Sequence, residues 1–283
     1  MQVIKTKNQL SLILTEERSK GCGIGLVPTM GALHQGHISL IERCVQENDI
    51  CVCSLFVNPS QFNDKNDLIK YPRQPEKDAQ LLREAGCNIL FMPDEQEMYP
   101  EQDTRVFNFG QLEEVMEGVY RKGHFNGVAQ IVSKLFDIVQ PNRAYFGQKD
   151  FQQLAIVRKM VEQLSMGIEI ISCPIVREKS GLAMSSRNAL LTLEQKEKAA
   201  LISKYLIESF TFVSTKTPAE VTGFVKKGIN AEPMLRLEYF EIVDGTTLQG
   251  IHDWTDASCV VGCIAVYCGS VRLIDNIVYK NAD

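Results

Sequence analysis

The sequence has no pair of cysteines at C-x-x-C spacing, although it contains nine cysteines among 283 residues. An odd count without such pairs supports neither a structural zinc site nor a disulfide framework. Most of the cysteines lie inside apolar runs, as in Cys51-Val52-Cys53. This placement predicts reduced thiols in the protein core and a reducing compartment.

The sequence also lacks any apolar run long enough to span a membrane, and Met1 to Lys20 mixes charged with apolar residues, unlike a signal peptide. The net charge of −5 gives no general attraction for nucleic acid or for an anionic membrane. We therefore expect a soluble, cytoplasmic protein with no nucleic-acid or membrane partner. Any anionic ligand must meet a local cluster of positive groups.

No repeat of fixed period and no low-complexity segment is present, and 45% hydrophobic residues are ample for a buried core. Short apolar runs alternate with helical patterns along the first part of the chain. The predicted buried strands are 24–27, 49–57, 88–92, 143–146 and 168–172, with helices at 8–20, 38–48, 75–85 and 128–139 and one ending near 164. Such alternation favours a mostly parallel sheet with right-handed crossovers.

Two less regular segments complete the first part of the chain. We predict an edge strand at Arg105–Phe109 and a short helix at Leu112–Met116. After Pro174 the pattern changes to a polar loop, two helices and three closing strand-like runs, which favours a second domain. The predicted fold class is α/β, a Rossmann-like doubly wound parallel sheet (1–174) followed by a smaller α+β C-terminal domain (175–283).

The segment 28–37, Pro-Thr-Met-Gly-Ala-Leu-His-Gln-Gly-His, links a predicted strand to a predicted helix. A helix N-terminus exposes unpaired backbone N–H groups and the positive end of the helix dipole, which suits a phosphate. His34 and His37 lie three residues apart, on one face at helical spacing. An isolated pair would more often be surface histidines, but Gly31 and Gly36 let the backbone approach a ligand. An imidazolium here would neutralise phosphate charge.

Three further sets of residues are candidates, although each has an ordinary structural interpretation. Gly147 to Asp150 repeat the strand, glycine turn and helix junction, and two such junctions are typical of the two walls of a nucleotide cleft. Met184 to Arg187 offer two hydroxyls and a guanidinium on a loop near the domain boundary, where a lid is expected. Gln61 and Gln153 are neutral amides, a type that is usually solvated. Out of context, a solvated surface lysine is the better interpretation of Lys149.

The H-x-G-H turn resembles that of the nucleotidyltransferase superfamily that includes class I aminoacyl-tRNA synthetases. The longer string P-T-M-G-A-L-H-x-G-H is similar to the pantothenate synthetase (pantoate–β-alanine ligase) family. Further blocks resemble the same family in the same order: F-V-N-P-x-Q-F at 56–62, Y-P-R at 71–73, G-H-F-x-G-V at 123–128, the 147–150 turn with Gln152-Gln153, and M-S-S-R-N at 184–188. The resemblance covers essentially the whole chain.

The resemblance implies that ATP and pantoate form a pantoyl adenylate and pyrophosphate, and that β-alanine then attacks the acyl carbon to give pantothenate and AMP. His34, His37, Lys149, Ser185, Ser186 and Arg187 are implied to be catalytic. ATP is implied to contact Met30, Gly31, Ala32, Leu33, His34, Gln35, Gly36, His37, Gly147, Gln148, Lys149, Asp150, Val176, Met184, Ser185, Ser186 and Arg187. At Gln148 the family commonly has Glu, so this residue is given no separate role.

The same resemblance implies that pantoate or β-alanine contacts Gln61, Gln153, Met30 and Asn58. Neutral amides suit a nucleophilic carboxylate, since pairing it with arginine would lower its reactivity. Asp78 is implied to hold Mg²⁺ on the ATP phosphates, residues 175–283 to act as a lid domain, and the protein to be a homodimer.

Other functions remain open at this stage. A nucleotidyltransferase would stop after transferring the adenylyl group, and a nucleotide-binding module would keep the fold without the chemistry. The intact histidines, Lys149 and the Ser-Ser-Arg loop weigh against the second alternative. A tRNA synthetase is disfavoured by the acidic composition and by the lack of an obvious anticodon-binding extension.

Overall fold

The computed structural model describes residues 1–63 and 65–281, which form two compact units. The first unit contains Met1–Phe109, Arg121–Gln148 and Gln153–Pro174, and the second contains Gly110–Tyr120, Lys149–Gln152 and Ile175–Asp283. Two short segments of the range 1–174 therefore group with the second unit. The roles expected of the two domains, nucleotide binding and lid closure, stay predictions.

A six-stranded parallel sheet forms the centre of the first unit, with strand order β1-β4-β3-β2-β5-β6. Its strands are β1 Gln2–Ile4, β2 Ile24–Thr29, β3 Ile50–Leu55, β4 Ile89–Phe91, β5 Arg143–Gly147 and β6 Glu169–Cys173. The central apolar runs are buried because both faces of a parallel sheet are covered; Leu26 and Val52, paired in register, are both fully buried. The expected Rossmann-like sheet is confirmed.

The order of the strands reverses between β2 and β5, which are neighbours although β3 and β4 lie between them in the sequence. In open α/β sheets, ligands bind beyond the carboxyl ends of the strands at such a reversal. The turn that carries His34 and His37 follows β2 directly. The topology therefore puts this turn at the position where a ligand is expected.

The longer predicted helices are present, whereas the short helices α3, α5 and α6 were not predicted. They are α1 Lys7–Ser19, α2 Gln35–Glu47, α3 Lys65–Lys70, α4 Pro75–Glu84, α5 Glu95–Met98, α6 Glu117–Tyr120, α7 His124–Val139, α8 Phe151–Gln163, α9 Leu193–Phe210 and α10 Pro218–Asn230. The residue that caps the C-terminal end of α7, Gln140, has the left-handed conformation at φ 47° and is followed by Pro141. No helix in the described part of the chain is both long and apolar enough to cross a membrane.

The edge strand predicted at Arg105–Phe109 is wrong, because the described backbone there forms no strand. The backbone N–H and C=O groups of this segment bond to side chains of α7 instead. Asn126 Oδ1 accepts from Phe107 N at 2.8 Å, and Gln130 Nε2 donates to the Arg105 carbonyl at 2.8 Å. The edge strand β1 was missed because three residues show too little alternation to recognise, whereas the other edge strand, β6, was predicted.

A three-stranded antiparallel sheet, in the order β7-β8-β9, forms the centre of the second unit. Its strands are β7 Leu235–Asp244, β8 Val260–Cys268 and β9 Val271–Lys280. Helices α9 and α10 each begin with a capping box, at Thr192 with Gln195 and at Thr217 with Glu220, and both pack on the apolar core that includes Phe240. The smaller α+β domain is confirmed.

The segment 110–120 belongs to this second unit because of a buried ion pair. Instead of the helix predicted at 112–116, it forms a 3-10 turn, Gly110–Glu113, and then α6. The two Arg272 Nη atoms lie 2.6 and 2.9 Å from the Glu117 carboxylate, and Tyr239 OH donates to the same carboxylate at 2.8 Å. A charge as buried as Glu117 needs such partners, and they come from the sheet.

Candidate active site

The turn between β2 and α2 is held in a backbone conformation that requires glycine at one position. Gly31 has φ +82° and Ala32 has φ +51°. A Cβ atom on Gly31 would also lie 3.1 Å from Asp78 Oδ2 and 3.2 Å from Leu55 Cδ2. Only glycine adopts such a φ at little cost, so the glycine lets the chain leave the strand and present its N–H groups.

Asp78, in the first turn of α4, holds the backbone of this turn. Its Oδ2 accepts from Ala32 N at 2.9 Å and its Oδ1 accepts from Leu33 N at 2.8 Å, and the residue is fully buried. Burial raises the pKa of the Asp78 carboxyl, while the two backbone hydrogen bonds act in the opposite direction. Both oxygens are thus committed to the turn, unlike those of the magnesium ligand predicted from the sequence.

Among residues 1–63 and 65–281 there is no cluster of three or more histidine, cysteine, aspartate or glutamate side chains that could hold a metal ion. Asp78 therefore positions backbone N–H groups of the turn, and its contact with Mg²⁺ stays a prediction.

His34 and His37 lie against each other at the start of α2, with ring centroids 4.0 Å apart. His34 Nδ1 accepts from Gly36 N at 3.1 Å, and His37 Nδ1 accepts from His34 N at 3.3 Å, which closes a capping box. A ring nitrogen that accepts a backbone N–H carries no proton, so the protons of both rings lie on Nε2. In this arrangement Nε2 is the ring atom of each histidine that can donate to a ligand.

Three residues predicted to bind substrate form an amide cluster beside this turn. Gln61 Nε2 lies 2.9 Å from Met30 Sδ, and Asn58 Nδ2 donates to Gln61 Oε1 at 3.3 Å. Tyr99 OH donates to Asn58 Oδ1 at 2.8 Å, and burial raises the pKa of Tyr99, which keeps its hydroxyl protonated. The cluster of Met30, Asn58 and Gln61 is neutral and continuous with the turn, since Met30 precedes Gly31.

His124 supports this cluster from α7, a role that sequence reasoning missed. Its Nδ1 lies 2.8 Å from the Gln61 carbonyl oxygen, which can only accept, so Nδ1 carries the proton. Its Nε2 then accepts from Arg121 Nη1 at 3.1 Å. The only signal in the sequence was the block G-H-F-x-G-V, which carried a resemblance but indicated no partner for the histidine.

Gly127, on the next turn of α7, allows the helix to pack directly on the backbone of the amide cluster. A Cβ atom there would lie 2.4 Å from the Ser60 carbonyl oxygen and 2.8 Å from Gln61 Cα. Both are backbone atoms, so a side chain on Gly127 would force the helix and the 3-10 turn Pro59–Gln61 apart.

We expect Gly127→Ala to lower the free energy of unfolding by about 1 to 3 kcal/mol, the usual cost of overpacking. Urea unfolding followed by circular dichroism would measure it. The matched control is Gly223→Ala in α10, where a Cβ atom meets nothing within 4 Å. That change should be neutral or stabilising, because alanine is the better helix former. Equal stability of both variants would contradict the predicted clash.

Lys149 and the loop that carries Ser185 lie together in the second unit. Lys149 Nζ donates to the Met184 carbonyl at 3.3 Å. The Val176 carbonyl accepts from Met184 N at 3.0 Å, so both residues belong to one small hairpin. Ser185 caps the 3-10 turn Ser186–Leu190, its Oγ accepting from Arg187 N at 3.3 Å. The structure thus places the Lys149 ammonium beside the start of the loop that carries Ser185, Ser186 and Arg187.

The remaining predicted residues occupy the junction after β5. Gly147 ends this strand, and Gln148 N donates to the Cys173 carbonyl at 2.8 Å, which ties the junction to β6. Asp150 immediately precedes α8. Gln153 lies in the first turn of α8 and is partly exposed, whereas the neighbouring Gln152 is buried and bonds to backbone of the segment 110–120. Gln153 is therefore the more accessible of the two amides.

Comparison with known proteins shows that this chain resembles them in sequence and in architecture over nearly its whole length. The model of the pantoate–β-alanine ligase family matches residues 2–278. A pantothenate synthetase of Bacteroides fragilis is 58% identical over 282 residues, 100% of both chains.

Two solved structures resemble the chain as well. Pantothenate synthetase from Thermus thermophilus has a TM-score of 0.93 and 42% identity, and covers 99% of this chain and 100% of its own. Pantoate–β-alanine ligase from Francisella tularensis, solved with a β,γ-ATP compound and β-alanine, has a TM-score of 0.81 and 35% identity, with coverage of 99% and 98%. The resemblance found in the sequence is confirmed: the chain belongs to the pantoate–β-alanine ligase family, the ligases also called pantothenate synthetases.

Proposed function

We propose that the chain condenses pantoate with β-alanine in two steps. In the first, the pantoate carboxylate attacks the α-phosphorus of ATP, forming pantoyl adenylate and releasing pyrophosphate. In the second, the amine of β-alanine attacks the acyl carbon, forming the amide bond of pantothenate, losing a proton and releasing AMP. Family membership supports the overall reaction, and the Francisella tularensis relative was solved with a β,γ-ATP compound and β-alanine.

One observation carries this proposal. Met30 lies in the turn that we propose binds phosphate, and its Sδ atom is 2.9 Å from Gln61 Nε2 in the amide cluster. The first step brings two anions together, so it needs donors for phosphate on one side and a neutral setting for the carboxylate on the other. The Nε2 donors of His34 and His37 and the positive end of the α2 dipole suit the phosphate. The amides of Gln61 and Asn58 suit the carboxylate and hydroxyls of pantoate, and as neutral groups they do not lower the reactivity of the carboxylate.

We assign the other predicted residues by the same chemistry. Lys149, Ser185, Ser186 and Arg187 supply an ammonium, two hydroxyls and a guanidinium, which are strong donors to phosphate oxygens. Gln153 is assigned to pantoate. The remaining ATP contacts are assigned to the backbone and side chains of residues 30–37, 147–150, Val176 and Met184.

We assign magnesium to the ATP phosphates themselves. Mg²⁺ commonly binds through substrate phosphates and keeps several water ligands. We leave Asp78 out of this assignment because both of its oxygens accept backbone N–H groups. The homodimer implied by resemblance and the cytoplasmic location expected from the composition stay predictions. Size-exclusion chromatography with light scattering would measure the oligomeric state.

We expect exchange of label between pyrophosphate and ATP that requires pantoate but not β-alanine. This result follows because the adenylate forms reversibly before the amine is used. The measurement is incorporation of labelled pyrophosphate into ATP, with and without each acid. Exchange that proceeds equally without pantoate would contradict the proposal.

A second assay separates the ligase from a nucleotidyltransferase that stops after adenylyl transfer. We expect AMP to be released in equal amount to pantothenate only when β-alanine is added. Retention of the adenylyl group on the product in the presence of β-alanine would favour the nucleotidyltransferase.

A further inference from the structure

Strand β9 carries two adjacent polar residues, Asp275 and Asn276, in the middle of an otherwise largely apolar strand. Successive residues of a strand point to opposite faces, yet both are buried, with 4% and 2% of their surface exposed. A buried carboxylate is costly unless it is paired and hydrogen-bonded. The residues that pair with this dipeptide belong to the predicted catalytic segments.

Asp275 is paired with Arg177, at the start of the hairpin that leads to Ser185. Arg177 Nη1 lies 2.6 Å from Asp275 Oδ2, and Nη2 lies 3.0 Å from Oδ1, a bidentate pair. Arg177 Nη1 also donates to the Gly181 carbonyl at 3.2 Å, within the hairpin turn. Because Arg177 also forms an antiparallel bridge with Ala183, the ion pair holds both arms of the hairpin on β9.

Asn276 is bonded to the other predicted catalytic segment. Its Nδ2 donates to the Lys149 carbonyl at 3.0 Å, while its own N–H donates to Asp275 Oδ1 at 2.8 Å. The Lys149 side chain in turn reaches the Met184 carbonyl, the last residue before Ser185. One dipeptide therefore fixes the backbone from which the Lys149 ammonium extends and the hairpin from which the Ser185 loop extends.

We infer that Asp275 and Asn276 are positioning residues for adenylate formation, Asn276 acting through Lys149 and Asp275 acting through Arg177 and the loop 184–187. This inference rests on the proposed function. Displacement by about 1 Å of a group that stabilises a transition state can cost as much as 10²-fold in rate. The dipeptide touches no reacting atom, so its effect must disappear when the residue through which it acts is absent.

The test is a double-mutant comparison in the full-length protein. Asn276→Asp is nearly isosteric but replaces the donor to the Lys149 carbonyl by a second acceptor. We expect single-turnover adenylation at saturating ATP and pantoate to fall on the order of tenfold, part of the range for a misplaced group, with the KM for pantoate unchanged. In a Lys149→Ala background, Asn276→Asp should cause no further fall.

The same logic applies to the other residue of the pair. Asp275→Asn removes the charge that holds Arg177, and its effect on adenylation should become smaller in an Arg187→Ala background, because Arg187 is one of the donors that the loop 184–187 carries. Asp244→Asn is the matched control, since this aspartate ends β7 in the same sheet and accepts from Thr246 and Thr247 in its own turn. Its rate should equal that of the wild type.

Two results would overturn the inference. A fall of the same size in the presence and absence of Lys149 would mean that Asn276 only stabilises the fold, and an unchanged rate in Asn276→Asp would mean that it has no part in adenylation. If Asn276→Asp does not fold, Asn276→Ala, which removes the hydrogen bond without adding a charge, takes its place. If the wild-type protein shows no pantoate-dependent exchange between pyrophosphate and ATP, the proposed function is wrong, and this inference fails with it.

Discussion

Replacing His37 with alanine is expected to slow adenylate formation by on the order of 10²-fold, the usual cost of removing one electrostatic stabiliser. The reason is the position of the ring at the first turn of α2, where its Nε2 proton can be donated to a developing negative charge. Single-turnover formation of the adenylate, measured by rapid quench with saturating ATP and pantoate, gives the rate directly. We expect the KM for β-alanine to stay unchanged, since the amine is used in the second step.

A second substitution separates catalysis from capping. His37 Nδ1 also accepts from His34 N, so alanine removes part of the helix cap. The Oδ1 of asparagine reproduces the position of Nδ1 but leaves nothing at Nε2, so His37→Asn should keep the stability and still lose the rate. His252→Ala, at an exposed histidine of the second unit, is the control. Wild-type adenylation in His37→Asn would contradict the role given to Nε2.

Replacing Asp78 with asparagine is expected to lower the free energy of unfolding by about 1 to 3 kcal/mol, the cost of leaving a buried donor without an acceptor. The amide group of asparagine has one acceptor oxygen, whereas Ala32 N and Leu33 N both need one. Because Ala32 and Leu33 belong to the turn that leads into His34, we also expect the rate of adenylation to fall at least tenfold, as for other misplaced catalytic groups. Urea unfolding and single-turnover kinetics measure the two effects.

The contrast with a magnesium ligand makes this prediction specific. If Asp78 bound Mg²⁺, Asp78→Asn would raise the magnesium concentration needed for half-maximal exchange and leave stability in metal-free buffer unchanged. We expect the opposite pattern on both counts. Asp94→Asn is the control, because Asp94 is an exposed helix N-cap where asparagine is equally good.

Much of the fold could be predicted because local patterns are enough for it. Continuous apolar runs such as that at Ile50–Leu55 predict buried parallel strands, and helical periodicity with Pro75 near the start and Gly86 after the end predicts α4. The failure at Arg105–Phe109 has a definite cause, since its backbone partners are Asn126 and Gln130 on a helix. No local pattern reveals that a distant side chain replaces a sheet partner.

The candidate site divides in the same way. Residues that act from a short segment, such as His34 and His37, were recognisable because the strand, turn and helix that present them are contiguous. The long-range contacts of residues that hold a distant segment could not be recognised in this way. Asp78 bonds to N–H groups 45 and 46 residues away, and Asn276 bonds to a carbonyl 127 residues away.

Motifs and local patterns were enough to predict the α/β class, the turn after β2, the family and the chemical types available for phosphate and carboxylate binding. The long-range contacts became visible only in the folded chain: Asp78 with the turn, His124 with Gln61, Asp275 with Arg177, and Asn276 with Lys149. The physical reason is that propensity and periodicity act over a few residues. The proton on a ring nitrogen and the partner of a buried carboxylate depend on which groups packing brings within about 3 Å.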